Sequence, residues 1–254
     1  MTFCLGMKVK DGLIGIADTR ITSGNERITA KKVTVHQNGR HSIFVMTSGL
    51  RSARDKALTY FEEVFHESAD FSHLYKAVNA FAAQIRRVAI EDKQALSEAG
   101  LHFNLHALVG GQLEGDSEHR LYMIYPEGNW VEVGEATPFC IIGESGYGKP
   151  ILERTIQHTS DLAFALKVGF LAFNATITCA IDVDYPIDVV AYRCNTYQMV
   201  EERYEKTEIS DLSIQWQKLI REAVPKLPGE WMRKVIDRLP KEERARERAF
   251  PHAV

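Results

Sequence analysis

The sequence predicts an α+β fold, a four-layer α-β-β-α sandwich in which two antiparallel sheets are covered by helices on both outer faces. Three observations lead to this prediction. Alternating apolar segments with tight-turn signals fill the first fifty residues and return between residues 103 and 145. Two consecutive amphipathic helices separate those strand-rich parts, and two further helical segments precede the last strands. Runs of strands separated by paired helices, without strict strand–helix alternation, favour stacked antiparallel sheets.

The first fifty residues predict four strands in one antiparallel sheet. "TFCLGMKV" and "GLIGIADT" flank Lys10-Asp11-Gly12, and "KKVTVHQ" and "HSIFVMTSG" flank Asn38-Gly39. Asp-Gly and Asn-Gly between alternating apolar runs are strong hairpin signals.

The helical segments are recognised by their apolar spacing. One stripe runs from Ala53 to Phe65 and a second from Phe71 to Val88, so these two helices should lie on a sheet or on each other. A third helix follows Gly148-Lys149-Pro150. A fourth, from Asp161 to about Phe173, is apolar nearly all round, which predicts burial between layers. "ATITCAIDV", "IDVVAYRC" and "TYQMVEE" are interpreted as the last strands.

The composition changes near residue 200. We therefore predict a core domain at 2–200 and a helical, charged extension at 201–254, packed on the core or tailing from it. "EISDLSIQWQKLIREAV" has the spacing of one more amphipathic helix. The run "KEERARERA" is interpreted as a solvated helical face or tail, with an interaction tail as the alternative.

Bulk composition excludes several classes of function. The chain has 254 residues, 45% of them hydrophobic, and a net charge of −3, which gives no electrostatic reason to expect nucleic acid or an anionic membrane as partner. The nine histidines occur singly, so no metal and no cofactor is expected. The four cysteines are far apart in apolar runs and predict free buried thiols in a reducing cytosol: Cys4, Cys140, Cys179 and Cys194.

The sequence also predicts a cytoplasmic protein. The start "MTFCLGMKVKDG" lacks the basic region and long apolar core of a secretory signal. The most apolar stretch is interrupted by Lys167, Gly169 and Asn174 and falls short of a continuous membrane span.

Two glycine motifs are weak, which leaves the chain start as the most informative segment. "GESGYGK" lacks the spacing of a phosphate-binding loop, and its serine misses the G-x-S-x-G pattern by one residue. Thr2 is a small hydroxyl residue directly after Met1, and removal of Met1 would make it the mature N-terminus.

The pattern "T-x-x-x-G-x-x-x-x-D-G-x-x-x-x-A-D-x-R", followed by "AKKV" and "MTSG", resembles proteasome-type β-subunits. These are N-terminal-nucleophile (Ntn) hydrolases with an α-β-β-α sandwich, the layer order already predicted from periodicity. Within that family the chain is similar to the bacterial Anbu ("ancestral β-subunit") subgroup. Its length, the Thr after Met, the "PID" segment at 186–188 and the long C-terminal extension carry that similarity.

The resemblance implies a nucleophile and two residues that tune it. Thr2 matches the nucleophile, and its own α-amino group, with an unperturbed pKa of roughly 7.7–8, can act as the base. Asp18 matches the family's acidic residue and Lys32 the lysine whose charge lowers the pKa around the hydroxyl. Arg20, two residues after Asp18, is expected on the same side of one strand.

The resemblance also implies residues around the reacting groups. Gly49 matches the glycine whose backbone N–H forms the oxyanion hole. Ser145 matches the serine that polarises the amine. The family's late Asp is matched by Asn174, and its Ser by Thr176 or Thr178. Asn accepts a hydrogen bond without carrying a charge, so the amine would be tuned differently.

These matches imply a threonine peptidase that cleaves amide bonds in peptides or unfolded proteins through an acyl-enzyme on Thr2. The family also implies self-association into a ring or an open helical oligomer. No segment resembles a docking tail for an ATPase. Two alternatives stay open: an Ntn amidase acting on a small non-peptide amide, and a catalytically weak or inactive scaffold, which Asn174 favours.

Overall fold

The structure, a computed structural model, describes residues 2–23, 26–67 and 71–240. Over these residues the strands are β1 (Phe3–Val9), β2 (Gly12–Asp18), β3 (Arg20–Ser23), β4 (Glu26–Thr29), β5 (Val33–Asn38), β6 (His41–Ser48), β7 (His106–Gln112), β8 (Arg120–Ile124), β9 (Trp130–Glu132), β10 (Phe139–Gly143), β11 (Ile187–Arg193) and β12 (Met199–Tyr204). The helices are α1 (Arg51–Glu67), α2 (Leu74–Glu98), α3 (Lys149–Thr155), α4 (Leu162–Cys179), α5 (Lys206–Ala223) and α6 (Glu230–Ile236). Met1 and the charged run at 241–249, which two of the predictions concern, lie outside the described residues.

Most strands belong to two antiparallel sheets. In the described part of the chain, each sheet has five strands, in the orders β10-β1-β2-β11-β12 and β5-β6-β7-β8-β9. Strands β3 and β4 pair with each other. Helices α3 and α4 pack on the outer face of the first sheet, and α1 and α2 pack on the outer face of the second. The predicted four-layer sandwich is therefore confirmed.

Apolar side chains fill the three spaces between the four layers. Phe3, Leu5 and Met7 of β1 belong to the cluster under α3 and α4. The cluster between the sheets includes Cys4 of β1 and Phe44 of β6. Because β1 contributes to both clusters, every residue of that strand is buried, and β1 lies between β10 and β2 in the first sheet.

Both predicted hairpins are confirmed, but the prediction that their four strands form one sheet is wrong. β1 pairs with β2 around Asp11, and β5 pairs with β6 around Asn38-Gly39. The two hairpins lie in opposite sheets, with β3 and β4 between them in the chain. A turn signal specifies only the two strands that it joins. The sheet that receives each hairpin is decided by contacts distant in sequence.

The predicted apolar stripes of α1 and α2 are confirmed. Ala53, Ala57 and Phe61 on α1 and Leu74 to Val88 on α2 are buried at helical spacing in one cluster with the second sheet. The two helices also pack on each other, so both predicted modes of packing occur.

The predicted strand "ATITCAIDV" is wrong, because α4 continues to Cys179. β-Branched residues such as Thr176 favour strands by propensity, but burial on the first sheet decides otherwise here. The Thr176 hydroxyl donates to the Ala172 carbonyl four residues earlier, at 2.9 Å, which satisfies it within the helix. The helix also lies on an outer face and not between layers. Its remaining apolar face is partly open, and Phe164 is 43% exposed.

Helix α4 is long and apolar enough, by length and composition, to cross a membrane. Core helices of soluble proteins pass the same test, and one face of α4 is buried in the cluster with the first sheet. This single helix is weak evidence for a membrane span.

The chain divides into two compact units, one ending at Ser210 and the other beginning at Asp211. Strand β12 crosses the predicted domain boundary at residue 200 and belongs to the first sheet. The amphipathic helix predicted in the extension is confirmed as α5. Neither α5 nor α6 contains a buried residue among those that the structure describes.

Candidate active site

Thr2 is held at the start of β1 by contacts from both neighbouring strands of the first sheet. The Glu144 amide, just after β10, donates to the Thr2 carbonyl at 2.7 Å. The next residue along, Phe3, donates its amide to Asp18 Oδ1 at the end of β2, at 2.8 Å. A residue that directly follows the start methionine is thus fixed by backbone contacts.

Gly143, the last residue of β10, permits this arrangement. Its φ is +90°, and a Cβ at this position would collide with the Thr2 carbonyl oxygen. Only glycine adopts such a conformation without strain and also allows so close an approach. The sequence reasoning missed Gly143. The signal available was a glycine at the end of an apolar strand.

Thr2 is half-buried and lines a cleft of about 990 Å³. Residues from several separate segments form its walls. The sequence-predicted residues among them are Arg20, Lys32 and Gly49. The fold thus gathers into one cleft four candidates that the chain spreads over almost fifty residues.

Asp18 and Lys32 form a buried ion pair at this site. Lys32 Nζ donates to Asp18 Oδ1 at 2.7 Å and to the Arg20 carbonyl at 2.6 Å. Both residues are almost fully buried. Burial raises the pKa of Asp18, and the nearby Lys32 ammonium opposes that rise. Asp18 Oδ1 therefore accepts hydrogen bonds both from Lys32, which lines the cleft, and from the Phe3 amide, directly after Thr2.

Gly49 directly follows β6 and lies two residues before the start of α1. Its φ is +135°, and a Cβ there would collide with the Asn104 carbonyl oxygen. The Asn104 side chain also accepts from the Leu50 amide at 3.2 Å, which fixes the junction between β6 and α1. A glycine is required here for steric reasons, and its backbone faces the same cleft as Thr2.

Arg20 lines the cleft, but it does not share a strand with Asp18 as predicted. β2 ends at Asp18 and β3 begins at Arg20, with Thr19 between them bonded to the Pro186 carbonyl. Arg20 Nη1 lies 3.3 Å from Asp184 Oδ2. Asp184, in the segment between α4 and β11, is therefore the carboxylate that pairs with Arg20.

The structure places the remaining candidates elsewhere. Asn174, Thr176 and Thr178 lie on α4 and not in a segment entering the late strands, and none of the three is among the described residues that line the cleft. Placing them in a segment that enters the late strands is therefore wrong, and their match to the family's Asp and Ser positions stays a prediction. That placement depended on ending the helix at Phe173, whereas α4 runs six residues further. Ser145 lies in the turn between β10 and α3, also outside the lining residues. Its role stays a prediction.

The structure offers no evident place for a metal ion. Over the described ranges, no three His, Cys, Asp or Glu side chains are grouped as a metal site would require. The cleft lining includes the Thr2 hydroxyl, the Gly49 backbone and the Lys32 ammonium. A hydroxyl, a buried cation and a glycine backbone in one cleft are suited to acyl transfer.

Comparison with known proteins agrees with this fold and site. A family model described as "Proteasome subunit" matches residues 2–189. The chain belongs to the proteasome subunit family. No curated protein matches the sequence.

Among solved structures, the chain is similar to Anbu, the ancestral β-subunit of bacteria. It is 29% identical to a Gly-1 mutant of Anbu from Hyphomicrobium sp. strain MC1, with a TM-score of 0.82 and coverage of 90% of this chain and 98% of that chain. It is 26% identical to Anbu of Pseudomonas aeruginosa, solved as a helical assembly, with a TM-score of 0.83 and coverage of 89% and 97%. Anbu from Yersinia bercovieri, at 24% identity and a TM-score of 0.83 over 89% and 98% of the chains, shares the fold.

Proposed function

We propose that this proteasome-type subunit is a threonine peptidase that hydrolyses amide bonds in peptides or unfolded proteins after removal of Met1. The observation that carries the proposal is Thr2 in one cleft with Lys32, whose ammonium is bonded to the buried Asp18 carboxylate. A threonine hydroxyl needs a base, and the α-amine that removal of Met1 would free is adjacent to it.

The proposed reaction has two steps. The Thr2 hydroxyl attacks the substrate carbonyl and gives its proton to the α-amine, which passes it to the leaving amine. An ester between Thr2 and the acyl group results. Water then attacks this ester, its proton returns through the amine, and the hydroxyl is restored. In this proposal the Lys32 charge favours the ionised form of the hydroxyl, and the Gly49 N–H stabilises the oxyanion.

Intact mass tests this proposal, measured before and after treatment with a peptide epoxyketone that reacts with both the hydroxyl and the amine of an N-terminal threonine. We expect a mass lacking Met1 and a single adduct. The adduct should disappear in Thr2→Ala. Retention of Met1, or its absence without an adduct, would contradict the proposal and favour the non-catalytic scaffold.

The substrate class is tested with peptides and small amides side by side. If the protein hydrolyses a small amide and does not hydrolyse any of the peptides, the Ntn amidase is favoured. The cleft volume of about 990 Å³ supports the peptide, because the lining includes His106 and Tyr125 from other segments as well as Thr2.

We also propose that the protein is cytoplasmic and self-associates into a ring or an open helix. The helical assembly of Pseudomonas aeruginosa Anbu supports the second form. Light scattering of the purified full chain and electron microscopy test the assembly, and cell fractionation tests the location. A monomer at micromolar concentration would contradict the proposed assembly.

A further inference from the structure

The wall of the cleft is rich in basic side chains. Arg20, Lys32, Arg51 and Arg54 line it, together with His106. Among the described residues, no Asp or Glu lines it. The sequence reasoning did not single out Arg51 or Arg54.

Three of these basic side chains each form an ion pair with a carboxylate that does not line the cleft. Lys32 is bonded to Asp18 at 2.7 Å. Arg54 donates from Nε and Nη2 to Asp55 Oδ1 at 2.8 and 2.6 Å, with 11% of its side chain exposed. As described above, Arg20 is paired with Asp184. These three cations are compensated and have little freedom to move.

Arg51 differs from the other three. Its partner is again Asp55, whose Oδ2 lies 3.4 Å from Arg51 Nε, and 52% of the Arg51 side chain is exposed. Asp55 is thus shared by two guanidinium groups and is held mainly by Arg54. Among the described side chains, four lining cations share three partner carboxylates, so the cleft has one positive charge in excess, and Arg51 has the longest of these contacts and the most exposed side chain.

The backbone adds to this charge. Arg51 is the first residue of the 17-residue α1, and Leu50, Arg51 and Ser52 all line the cleft. The start of a helix carries a partial positive charge from its unpaired N–H groups. Helix and guanidinium therefore act with the same sign on a bound group.

We propose that Arg51 makes the cleft selective for peptides that place an acidic side chain next to the bond to be cleaved. The inference rests on the proposed peptidase function and names its substrate class. A guanidinium binds a carboxylate through paired charge-assisted hydrogen bonds. The apolar part of the lining, including Ile28, Met123 and Ile141, can contact the methylene groups of a glutamate.

The expected preference is moderate. Hydrogen bonds to charged groups correspond to about 10- to 100-fold in affinity. Because Arg51 is half-exposed, water and salt weaken its interaction, and we expect the lower end, about 10-fold.

The test uses acetylated peptides with a fluorogenic amide as leaving group, so that the residue before that amide carries the sole carboxylate. Glu, Gln, Leu and Lys are compared at that position by kcat/KM. We expect Glu to exceed Gln by about 10-fold, and this ratio to fall towards 1 in Arg51→Gln. Arg51→Glu should favour Lys over Glu. A Glu-to-Gln ratio that is unchanged in Arg51→Gln would overturn the inference.

Arg87→Gln is the matched control. Arg87 has a similarly exposed side chain, at 54%, and an i,i+4 partner in Glu91 at 3.1 Å, but it lies on α2 outside the cleft lining. Its substitution removes the same charge and should leave the ratio unchanged. Thermal unfolding of both variants checks that each is folded.

A binding arm keeps this inference separate from the proposed function. Dissociation constants for the Glu and Gln peptides are measured with Thr2→Ala and with Thr2→Ala/Arg51→Gln. If the wild type gives no epoxyketone adduct but the Glu peptide binds tighter in an Arg51-dependent way, the peptidase proposal fails and the selectivity stands. An adduct without any Arg51-dependent preference leaves the peptidase and overturns the selectivity.

Discussion

Replacing Lys32 with Met should destabilise the protein strongly. The substitution keeps a side chain of similar length and removes the ammonium that bonds to Asp18 Oδ1 at 2.7 Å and to the Arg20 carbonyl at 2.6 Å. Asp18 is fully buried, so its carboxylate would lose its compensating charge in a site without water contact. Breaking a buried ion pair by removing one partner costs about 3–5 kcal/mol.

That cost is measurable by urea unfolding. For a chain of this size, 1 kcal/mol corresponds to roughly 2–4 °C in Tm, so the same loss should lower Tm by about 6–20 °C. Lys31→Met provides the matched control. Lys31 precedes Lys32 in the chain and pairs with Glu201, but its side chain is 49% exposed. Its loss should cost below about 1 kcal/mol.

The pH dependence gives a second check on the same reasoning. Without Lys32, burial raises the pKa of Asp18 further above its unfolded value, so the folded state holds a proton that the unfolded state releases. Stability of Lys32→Met should then fall as pH rises from 5 to 8, relative to the wild type. If Lys32→Met costs no more than Lys31→Met, or if its penalty grows towards low pH, the pair does not act as we describe.

Two further substitutions test the seat of Thr2 and a buried histidine. Gly143→Ala should abolish the epoxyketone adduct and lower the free energy of unfolding by more than the roughly 1–2 kcal/mol of strain at a positive φ. Gly39→Ala, which has open space around it, should lower it by that strain alone. Urea unfolding measures both losses. Burial lowers the pKa of His119, whose Nε2 lies 2.7 Å from the Val9 carbonyl. Its contribution to stability is therefore complete above about pH 6.5 and lost on acidification, and His119→Gln, which keeps an amide donor, should reduce the loss between pH 7 and pH 5 in the same assay.

The elements that the sequence predicted well are those with local signals. The hairpin turns at Asp11 and Asn38-Gly39 and the apolar stripes of α1 and α2 each depend on residues close together in the chain. The distribution of the hairpins between the sheets was not predictable in this way. It depends on pairings such as β2 with β11, whose residues are about 170 positions apart.

In the candidate site, too, residues with local sequence signals were predicted, and features that depend on distant contacts were not. Thr2, Lys32 and Gly49 stand at the ends of short elements with recognisable local patterns, and the fold brings all three to the cleft. The segment after Phe173 was wrongly predicted as a strand because its β-branched residues favour one, while packing on the first sheet extends α4 through it. Arg51 carried no signal, since a single arginine is common on any protein surface.

The buried Asp18–Lys32 pair affects both the stability of the fold and the position of Thr2. Asp18 Oδ1 accepts from both Lys32 and the Phe3 amide, so a change in this carboxylate acts on the backbone directly after Thr2. On the other side, Gly143 lies close to the carbonyl oxygen of Thr2. We therefore expect Lys32→Met to slow epoxyketone labelling even under conditions where the protein remains folded. Lys31→Met should leave the labelling rate unchanged, because its partner Glu201 lies on β12, away from the cleft lining. Equal labelling rates in the two folded variants would show that the pair stabilises the fold without positioning Thr2.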